Sequence, residues 1–213
     1  MHIMILGGTG MLVYATALEL LRAGHQVSAT ARHTPHFGQP FEAVKLHLLD
    51  VAQASSAELQ HLFAGVEAVI YALGPDDREI PPAPALPFFR KHLAEQTRRI
   101  ALAARAAGVK KFVVYGSYFN TFDRQHPEWQ LQAHHPYIQA RHEQAEQAIE
   151  AGAAGQMDVC ILEIPYVFGV TPDRKPFWKE VLFDRVLYGF RLIRYSPSAS
   201  QLCKSASLRC FHS

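Results

Sequence analysis

The sequence has little cysteine and no excess of charge of either sign. Three cysteines among 213 residues, without the spacing of metal ligands, predict neither a disulfide framework nor a cysteine-based metal site. The 21 lysines and arginines nearly balance the 19 acidic residues, which excludes the basic footprint expected of a protein that binds nucleic acid or an anionic membrane. The composition therefore favours a protein that acts on a small molecule.

Long hydrophobic runs are also missing. The apolar run before the first glycine cluster is short and has no basic leader, so it suits neither a signal peptide nor a spanning helix. We therefore expect a cytoplasmic protein without a membrane segment. The histidines are numerous but scattered, and even the group of His134, His135 and His142 lacks a completing acid or cysteine, so no metal site is expected.

Short apolar segments alternate with longer helical patterns along the chain. Strands are predicted at about 2–6, 26–31, 44–48, 68–73, 111–115 and 158–163, and helices near 11–23, 55–63, 88–107, 136–151 and 177–188. Because the strands are continuously apolar, they are typical of a parallel sheet that is covered on both faces. The predicted fold class is α/β, a doubly wound parallel sheet with helices on both faces. The proline-rich stretch at 74–87 is predicted to be a semi-rigid loop over the sheet edge.

The first predicted strand runs directly into the glycine-rich turn Gly7-Gly8-Thr9-Gly10, which opens a helix with Met11 and Leu12. Backbone N–H groups at a helix N-terminus attract anions, and glycines permit both the tight turn and the close approach of a ligand. In the first turn of a βαβ unit, this pattern predicts a pyrophosphate site, with a plain strand-to-helix turn as the alternative. A P-loop is excluded because no Gly-Lys-Ser/Thr follows.

The acid that binds ribose hydroxyls in many nucleotide-binding chains is missing after the second predicted strand. Arg32 stands there instead. A planar cation suits a 2′-phosphate, so NADP(H) is favoured over NAD(H) as the cofactor. A solvated loop arginine is the alternative. The missing acid also disfavours a methyltransferase.

Five segments of the chain together resemble a known family. They are ILGGTGML, LLDVAQASSAELQHLFAGVEAVIYALG, GVKKFVVYGS, HPYIQARHEQAEQAI and VCILEIPYVFG. They resemble the extended and atypical short-chain dehydrogenase/reductases, specifically the NAD(P)-dependent epimerase/dehydratase family, over about residues 1–195. The resemblance implies a Rossmann-like fold in which the glycine turn binds the pyrophosphate. It also implies cofactor contacts from Asp50 and its neighbour Val51, and from Ala72, Leu73 and Gly74 after the fourth strand.

The same resemblance implies a catalytic set. The family serine after the fifth strand is Ser117, and the tyrosine of its Tyr-x-x-x-Lys pair is Tyr137. The lysine position holds Arg141, which shares a helical face with the tyrosine four residues before it. A guanidinium stabilises a phenolate but does not release a proton, so a relay through a lysine ammonium is closed. In the implied reaction, Tyr137 exchanges the oxygen-bound proton during hydride transfer while Ser117 orients that oxygen.

Two other departures from the family pattern concern packing and length. The third glycine of the family turn is Val13 here, which predicts a helix slightly farther from the sheet. The resemblance implies a domain over 1–195 with a reduced substrate lobe from about 165. Residues 196–213 form a serine-rich tail that is predicted to be disordered, or to mark a truncated or altered C-terminal part.

Three functions remain open on the sequence alone. The first is an NAD(P)-dependent oxidoreductase or epimerase that acts by hydride transfer on a small carbonyl, alcohol or nucleotide sugar. The second is a non-catalytic NADP(H)-binding sensor, and the third is an inactive, truncated member of the family. A homodimer is also possible through the helices in FFRKHLAEQTRRIALAARAAG and PYIQARHEQAEQAIEAG, although packing against the sheet explains their apolar faces equally well.

Overall fold

The computed structural model describes residues 1–7, 10–153, 155–172, 179 and 203–204. Its strands are β1 (His2–Leu6), β2 (Gln26–Ala31), β3 (Lys45–Leu48), β4 (Ala68–Tyr71), β5 (Lys111–Ser117), β6 (Asp158–Ile164), β7 (Val167–Phe168) and β8 (Cys203–Lys204). Its α-helices are α1 (Met11–Arg22), α2 (Gln39–Glu42), α3 (Ser56–Leu62), α4 (Ala85–Phe89), α5 (Gln96–Ala106), α6 (Phe119–Gln125), α7 (Leu131–His134) and α8 (Pro136–Gly152). A π-helical segment, Arg90–Glu95, joins α4 to α5, and a 3₁₀ turn, Pro127–Trp129, lies between α6 and α7.

Six strands form one parallel sheet in the order β3-β2-β1-β4-β5-β6. This is the predicted doubly wound α/β fold. The strand order reverses between β1 and β4, and open α/β sheets bind ligands at this point, beyond the carboxyl ends of the strands. The turns that follow β1 and β4 therefore flank the place where a ligand site is expected.

Two apolar layers cover the sheet, because successive residues of a strand point to opposite faces. Met4 and Leu6 pack with residues of α3 and α5 on one face, and α8 extends this layer. Ile3 and Ile5 pack with residues of α1 on the other face. The continuous apolar pattern of the strands reflects this burial on both sides.

The helix predicted at 88–107 differs from the observed one in its start and in its regularity. It begins earlier, as α4, and Pro87 lies in the first turn of that helix. Proline is tolerated there because the first N–H groups of a helix have no intrahelical acceptor. The short helices between residues 119 and 134 were not predicted, since segments of four to seven residues carry too little periodicity.

The C-terminal predictions are largely outside the described residues. This holds for the helix at 177–188, except for residue 179, and for the tail at 196–213, except for β8. The backbone of β8 pairs in parallel with β7, Val167 with Cys203 and Phe168 with Lys204. No helix within the described residues has both the length and the apolar character needed to cross a membrane.

Candidate functional site

A cavity of about 810 Å³ lies at the carboxyl edge of the sheet. It is bounded by the start of α1, the segments after β4, β5 and β6, and the first turns of α8. Nine of the predicted site residues line it: Gly10, Met11, Leu12, Ala72, Leu73, Gly74, Ser117, Tyr137 and Arg141. The cofactor and catalytic predictions, which come from four separate parts of the chain, thus meet in one space.

The glycine turn is held closely against the segment that follows β4. Gly7 has φ +109, which L side chains rarely adopt, and a Cβ there would lie 2.7 Å from the carbonyl oxygen of Ala72. The N–H of Gly7 also donates to Thr30 Oγ1 of β2 at 3.4 Å. Only glycine therefore permits this turn. Gly8 and Thr9 lie outside the described residues.

Gly10 has a different reason to be glycine. A Cβ at this position would meet no atom of the described residues beyond its chain neighbours closer than 3.8 Å, and its φ of −82 suits any residue. The first N–H groups of a helix have no intrahelical acceptor. Helix α1 begins here, and no side chain among the described residues caps it. The open space above Gly10 and the positive end of the helix dipole together fit an anionic group such as a dinucleotide diphosphate.

Four of the predicted cofactor residues lie outside the cavity lining: Gly7, Arg32, Asp50 and Val51. Arg32 is exposed and directly follows β2 at the same edge of the sheet. Asp50 is exposed and accepts a hydrogen bond from the N–H of Ala52 at 3.0 Å. The side chain of Val51 is buried in the core, and its carbonyl accepts from Arg99 Nη2 at 2.8 Å.

Ser117 is the last residue of β5, and it is buried at the cavity wall. Its Oγ accepts a 3.4 Å hydrogen bond from the N–H of Phe119, so the hydroxyl hydrogen is available to the cavity. Tyr115, two residues earlier, also lines the cavity and shares a 2.6 Å hydrogen bond with Thr16 Oγ1 of α1. Burial raises the pKa of Tyr115, although Thr16 opposes this effect, and the neutral phenol serves to tie α1 to β5.

Tyr137 and Arg141 form a contact pair on α8. Arg141 Nε donates to the hydroxyl oxygen of Tyr137 at 2.9 Å, and the guanidinium carbon lies 5.1 Å from the centre of its ring. The ring packs edge-on against Phe89 at 5.4 Å and lies farther from Phe119, at 6.5 Å. Because the hydroxyl oxygen already accepts a hydrogen bond from Arg141, the phenolic hydrogen is free to point toward another acceptor.

The remaining donors of Arg141 bind protein groups. Nη1 donates to Gln144 Oε1 at 2.8 Å and to the carbonyl oxygen of Tyr115 at 3.3 Å. Nη2 lies 3.5 Å from the carbonyl oxygen of Pro75, in the loop after β4. The guanidinium therefore ties together α8, β5 and the loop that borders the cavity, as a lysine ammonium with its compact charge would not.

Polar and aromatic groups from the segments after β4, β5 and β6 also line the cavity. Tyr166 donates its hydroxyl hydrogen to Asp77 Oδ2 at 2.8 Å, and its ring packs on Tyr118 at 5.3 Å. Burial and the hydrogen bond to Asp77 raise the pKa of Tyr166, so this phenol stays neutral. The neighbouring Asp76 pairs with Arg78. This part of the lining thus combines aromatic surface with acidic side chains that already have partners.

No group of three or more histidine, cysteine, aspartate and glutamate side chains in the described part of the chain could hold a metal ion. A second depression, of about 620 Å³, lies on α3, α5 and α8, and none of the predicted site residues lines it.

Several residues of the site were missed by sequence reasoning. Gln144 lies three residues after Arg141 and seven after Tyr137, so its helical spacing was a usable signal. Tyr166 and Asp77 are 89 positions apart and gave no such signal. Their proximity depends on the sheet, which places the segments after β4 and β6 at one edge.

Comparison with known proteins supports this arrangement at the level of family and fold. The NAD(P)H-binding family matches residues 7–167 of this chain. No curated protein matches it. Among solved structures, UDP-N-acetylglucosamine 4-epimerase from Bacillus cereus superposes with a TM-score of 0.68 at 12% identity, over 97% of this chain and 68% of the epimerase.

Two further structures show the same fold. UDP-glucose 4-epimerase from Thermotoga maritima superposes with a TM-score of 0.67 at 12% identity, over 96% of this chain and 70% of its own. A short-chain dehydrogenase/reductase superfamily protein from Agrobacterium tumefaciens, solved with bound NAD, has a TM-score of 0.60 at 21% identity over 78% of this chain. This chain spans 50% of the length of that protein.

The family match begins at the glycine turn and ends in β7. The matched residues therefore include Gly10, Tyr137 and Arg141. The Rossmann-like sheet predicted from the sequence is thereby confirmed, and so is the predicted membership of a family that binds NAD(P)H. This chain belongs to the NAD(P)H-binding family.

Proposed function

We propose that the protein is an NADP(H)-dependent oxidoreductase that transfers hydride to or from a small carbonyl or alcohol substrate. The observation that carries the proposal is the shared cavity, in which Tyr137, Ser117 and the start of α1 line one space. A bound nicotinamide would supply the hydride. Gly10, Met11 and Leu12 would hold the diphosphate through backbone N–H groups, and Arg32 would bind a 2′-phosphate at the same edge of the sheet.

The side chains of the cavity have complementary roles in this proposal. Ser117 orients the substrate oxygen with its hydroxyl hydrogen. Tyr137 donates its phenolic hydrogen to that oxygen as negative charge develops there, because its own oxygen accepts from Arg141. Arg141 stabilises the resulting phenolate by charge and by its Nε hydrogen bond. In the oxidative direction the same groups act in reverse.

The route of the proton differs from a relay through lysine. A guanidinium holds its proton throughout the accessible pH range, so Arg141 supports the phenolate without passing a proton on. The phenolate must then recover a proton from solvent that enters the cavity. The hydroxyl groups of Ser117 and Tyr118, which line the same cavity, offer oxygens for that path.

Two substrate classes follow from the supporting observations. The aromatic surface in the cavity lining suits a compact carbonyl compound with an apolar body. The similar structures include epimerases of UDP-sugars, which makes nucleotide sugars the second class to test.

Turnover is tested with purified protein, NADPH and a panel of aldehydes, ketones and UDP-sugars, by following cofactor absorbance. We expect measurable turnover with at least one panel member and a loss of about 10²- to 10⁴-fold in kcat for Tyr137→Phe, because a general acid contributes on this scale. Tyr14→Phe is the matched control, since this tyrosine belongs to the aromatic group with Phe37 and Phe41. Cofactor binding without turnover across the panel would contradict the proposal.

A second candidate function has a specific observation in its favour. All three nitrogen atoms of the Arg141 guanidinium lie near protein acceptors, as in a structural arginine. In a non-catalytic NADP(H) sensor, these structural contacts would be the whole role of Arg141. Arg141→Lys separates the two functions, because an enzyme changes in kcat, whereas a sensor shows no turnover and keeps its dissociation constant for NADPH.

A further inference from the structure

A buried polar chain leads from Arg141 into the interior, behind the cavity wall. Arg141 Nη1 donates to Gln144 Oε1 at 2.8 Å, and Gln144 Nε2 donates to Thr97 Oγ1 of α5 at 2.8 Å. Gln144 is 1% exposed and Thr97 is 0% exposed. Polar groups at this depth are costly unless they are hydrogen-bonded, so this pair of side chains calls for an explanation.

The chemistry of the donors fixes the orientation of the Gln144 amide. Arginine has no acceptor, so the amide must present its oxygen to Arg141 and its NH₂ group to Thr97. The threonine hydroxyl then accepts, and its own hydrogen points away from Gln144. The adjacent Tyr71 on β4 is fully buried, and burial raises its pKa to about 12, so it adds no charge beside the chain.

The planar shape of the guanidinium transmits this orientation to the cavity. With Nη1 held by Gln144 and by the carbonyl of Tyr115, the plane of the group is set, and Nε is directed to the hydroxyl of Tyr137. A lysine ammonium has no plane to set. The role of Gln144 is therefore specific to a chain with arginine at position 141.

The groups that hold the guanidinium are also neutral. Its hydrogen-bond partners are an amide, two backbone carbonyls and a phenol. Several titratable groups of other elements face the pair. Tyr71 of β4 and Asp76 after β4 interact electrostatically with Arg141, and Tyr118 after β5 interacts with Tyr137. Asp76 is paired with Arg78, and Asp77 and Tyr166 line the same cavity. A glutamate at 144 would instead offset the positive charge of Arg141.

We propose that Gln144, anchored by Thr97, is a positioning residue that directs the Arg141 guanidinium, which is held by neutral hydrogen-bond partners, at the reacting hydroxyl of Tyr137. The proposal rests on the proposed function and adds to it a residue that touches neither substrate nor cofactor. According to this proposal, the ionisation of Tyr137 depends on the chemical identity of the side chain at position 144 and not only on how it packs.

The test follows the ionisation of Tyr137 directly, by NMR of the full chain labelled with ¹³C at the tyrosine ring Cζ. The resonance is assigned by its loss in Tyr137→Phe. Gln144→Glu is expected to move the titration midpoint of this resonance to higher pH by about one unit, because a carboxylate at hydrogen-bond distance offsets the guanidinium charge. Gln147→Glu, on the same helix, is the matched control and should leave the midpoint within about 0.3 units.

Two variants without a new charge repeat the test. Gln144→Met removes the acceptor, and Thr97→Val removes the anchor while leaving Gln144 in place. Both should move the midpoint upward by a smaller amount, and Thr97→Ser, which keeps the hydroxyl, should restore the wild-type value. Thermal melting identifies the folded variants, and the proposal is overturned if the folded ones share the wild-type midpoint.

The outcome is separable from that of the proposed function, since the NMR readout needs neither cofactor nor turnover. A moved midpoint without turnover on the carbonyl panel would support the positioning role and contradict the enzyme. Turnover with an unmoved midpoint would support the enzyme and contradict the positioning role of Gln144. With an active protein, we expect Gln144→Glu to lower kcat about tenfold near neutral pH in the oxidative direction, with alcohol and NADP⁺, and to change KM less than twofold. In that direction the Tyr137 phenolate is the base, and one pH unit corresponds to about a factor of ten in the ionised fraction.

Discussion

At the scale of single residues, Arg141 stands where the resemblance places a lysine, and it is a group of different shape and chemistry. The five N–H donors of an arginine lie in one plane. Four hydrogen bonds join Arg141 to Tyr137, to Gln144 and to backbone carbonyls of β5 and of the loop after β4. A lysine in the same place would carry the charge without this set of contacts. The motif therefore keeps a cation beside the tyrosine but changes how that cation is held.

Arg32 carries the prediction about cofactor choice. If it binds a 2′-phosphate, Arg32→Ala should weaken NADPH binding by about 10- to 100-fold, because hydrogen bonds to charged groups contribute roughly 1.5–3 kcal/mol. Binding of NADH, which lacks that phosphate, should change little. Calorimetric titration of both cofactors against both proteins measures the difference.

Arg22→Ala is the control for a general loss of positive charge, since Arg22 is exposed at the end of α1 and pairs with Glu19. It should leave both affinities unchanged. Equal weakening of NADH and NADPH by Arg32→Ala, or no weakening of either, would remove the basis for preferring NADP(H).

At the scale of elements, the turn from β1 to α1 uses its glycines for two separate purposes. Gly7 serves the fold, because its backbone conformation and the nearby Ala72 carbonyl exclude a side chain. Gly10 serves no packing need among the described residues, since the space above it is open to the cavity. One turn thus contains a structural glycine and a candidate ligand-binding glycine.

Alanine substitution separates these purposes. Gly7→Ala should destabilise the fold by at least about 1–3 kcal/mol from backbone strain alone. Gly10→Ala should keep its melting temperature within a few degrees of wild type but weaken NADPH binding about tenfold or more, because its Cβ occupies the space for the diphosphate. Differential scanning calorimetry and NADPH titration report the two effects independently. Full NADPH affinity in a folded Gly10→Ala variant would argue against a diphosphate at this turn.

At the scale of the whole molecule, Glu163 links β6, the edge strand of the large sheet, to helix α6. It lies on β6, accepts a hydrogen bond from Thr121 of α6 and pairs with Arg124 at 2.6 Å. Burial acts to raise the pKa of Glu163, but the hydrogen bonds from Arg124 and Thr121 outweigh it, so the pKa lies below its ordinary value. The ionised form is therefore favoured by folding.

The sign of the resulting pH dependence follows from linkage. A carboxyl group whose pKa is lowered in the folded state stabilises the protein above its unfolded pKa, and this contribution is lost as pH falls through the folded pKa. We expect Glu163→Gln to be less stable than wild type near pH 7, with the difference shrinking toward pH 3. Urea unfolding at several pH values measures it, with exposed Glu146→Gln as the control. A difference that stays constant with pH would contradict the assignment.

The sequence alone determined the features that depend on local pattern. Continuous apolar runs predicted the positions of the six sheet strands to within a few residues, and the alternation with helices predicted their parallel arrangement. The glycine turn after β1 and the four-residue spacing of Tyr137 and Arg141 also gave local signals, because neighbours on a strand end or a helix face are set by short-range geometry.

The tertiary structure decided which of these features share one space and what lies behind them. Thr97 and Gln144 are separated by 47 positions, and Tyr166 and Asp77 by 89, so no periodicity connects them. They meet because parallel strands bring their carboxyl ends to one edge and because α5 and α8 cover the same face of the sheet. Two of the neutral partners of the Arg141 guanidinium, the backbone carbonyls of Tyr115 and Pro75, are also brought to it by this packing and by no local pattern.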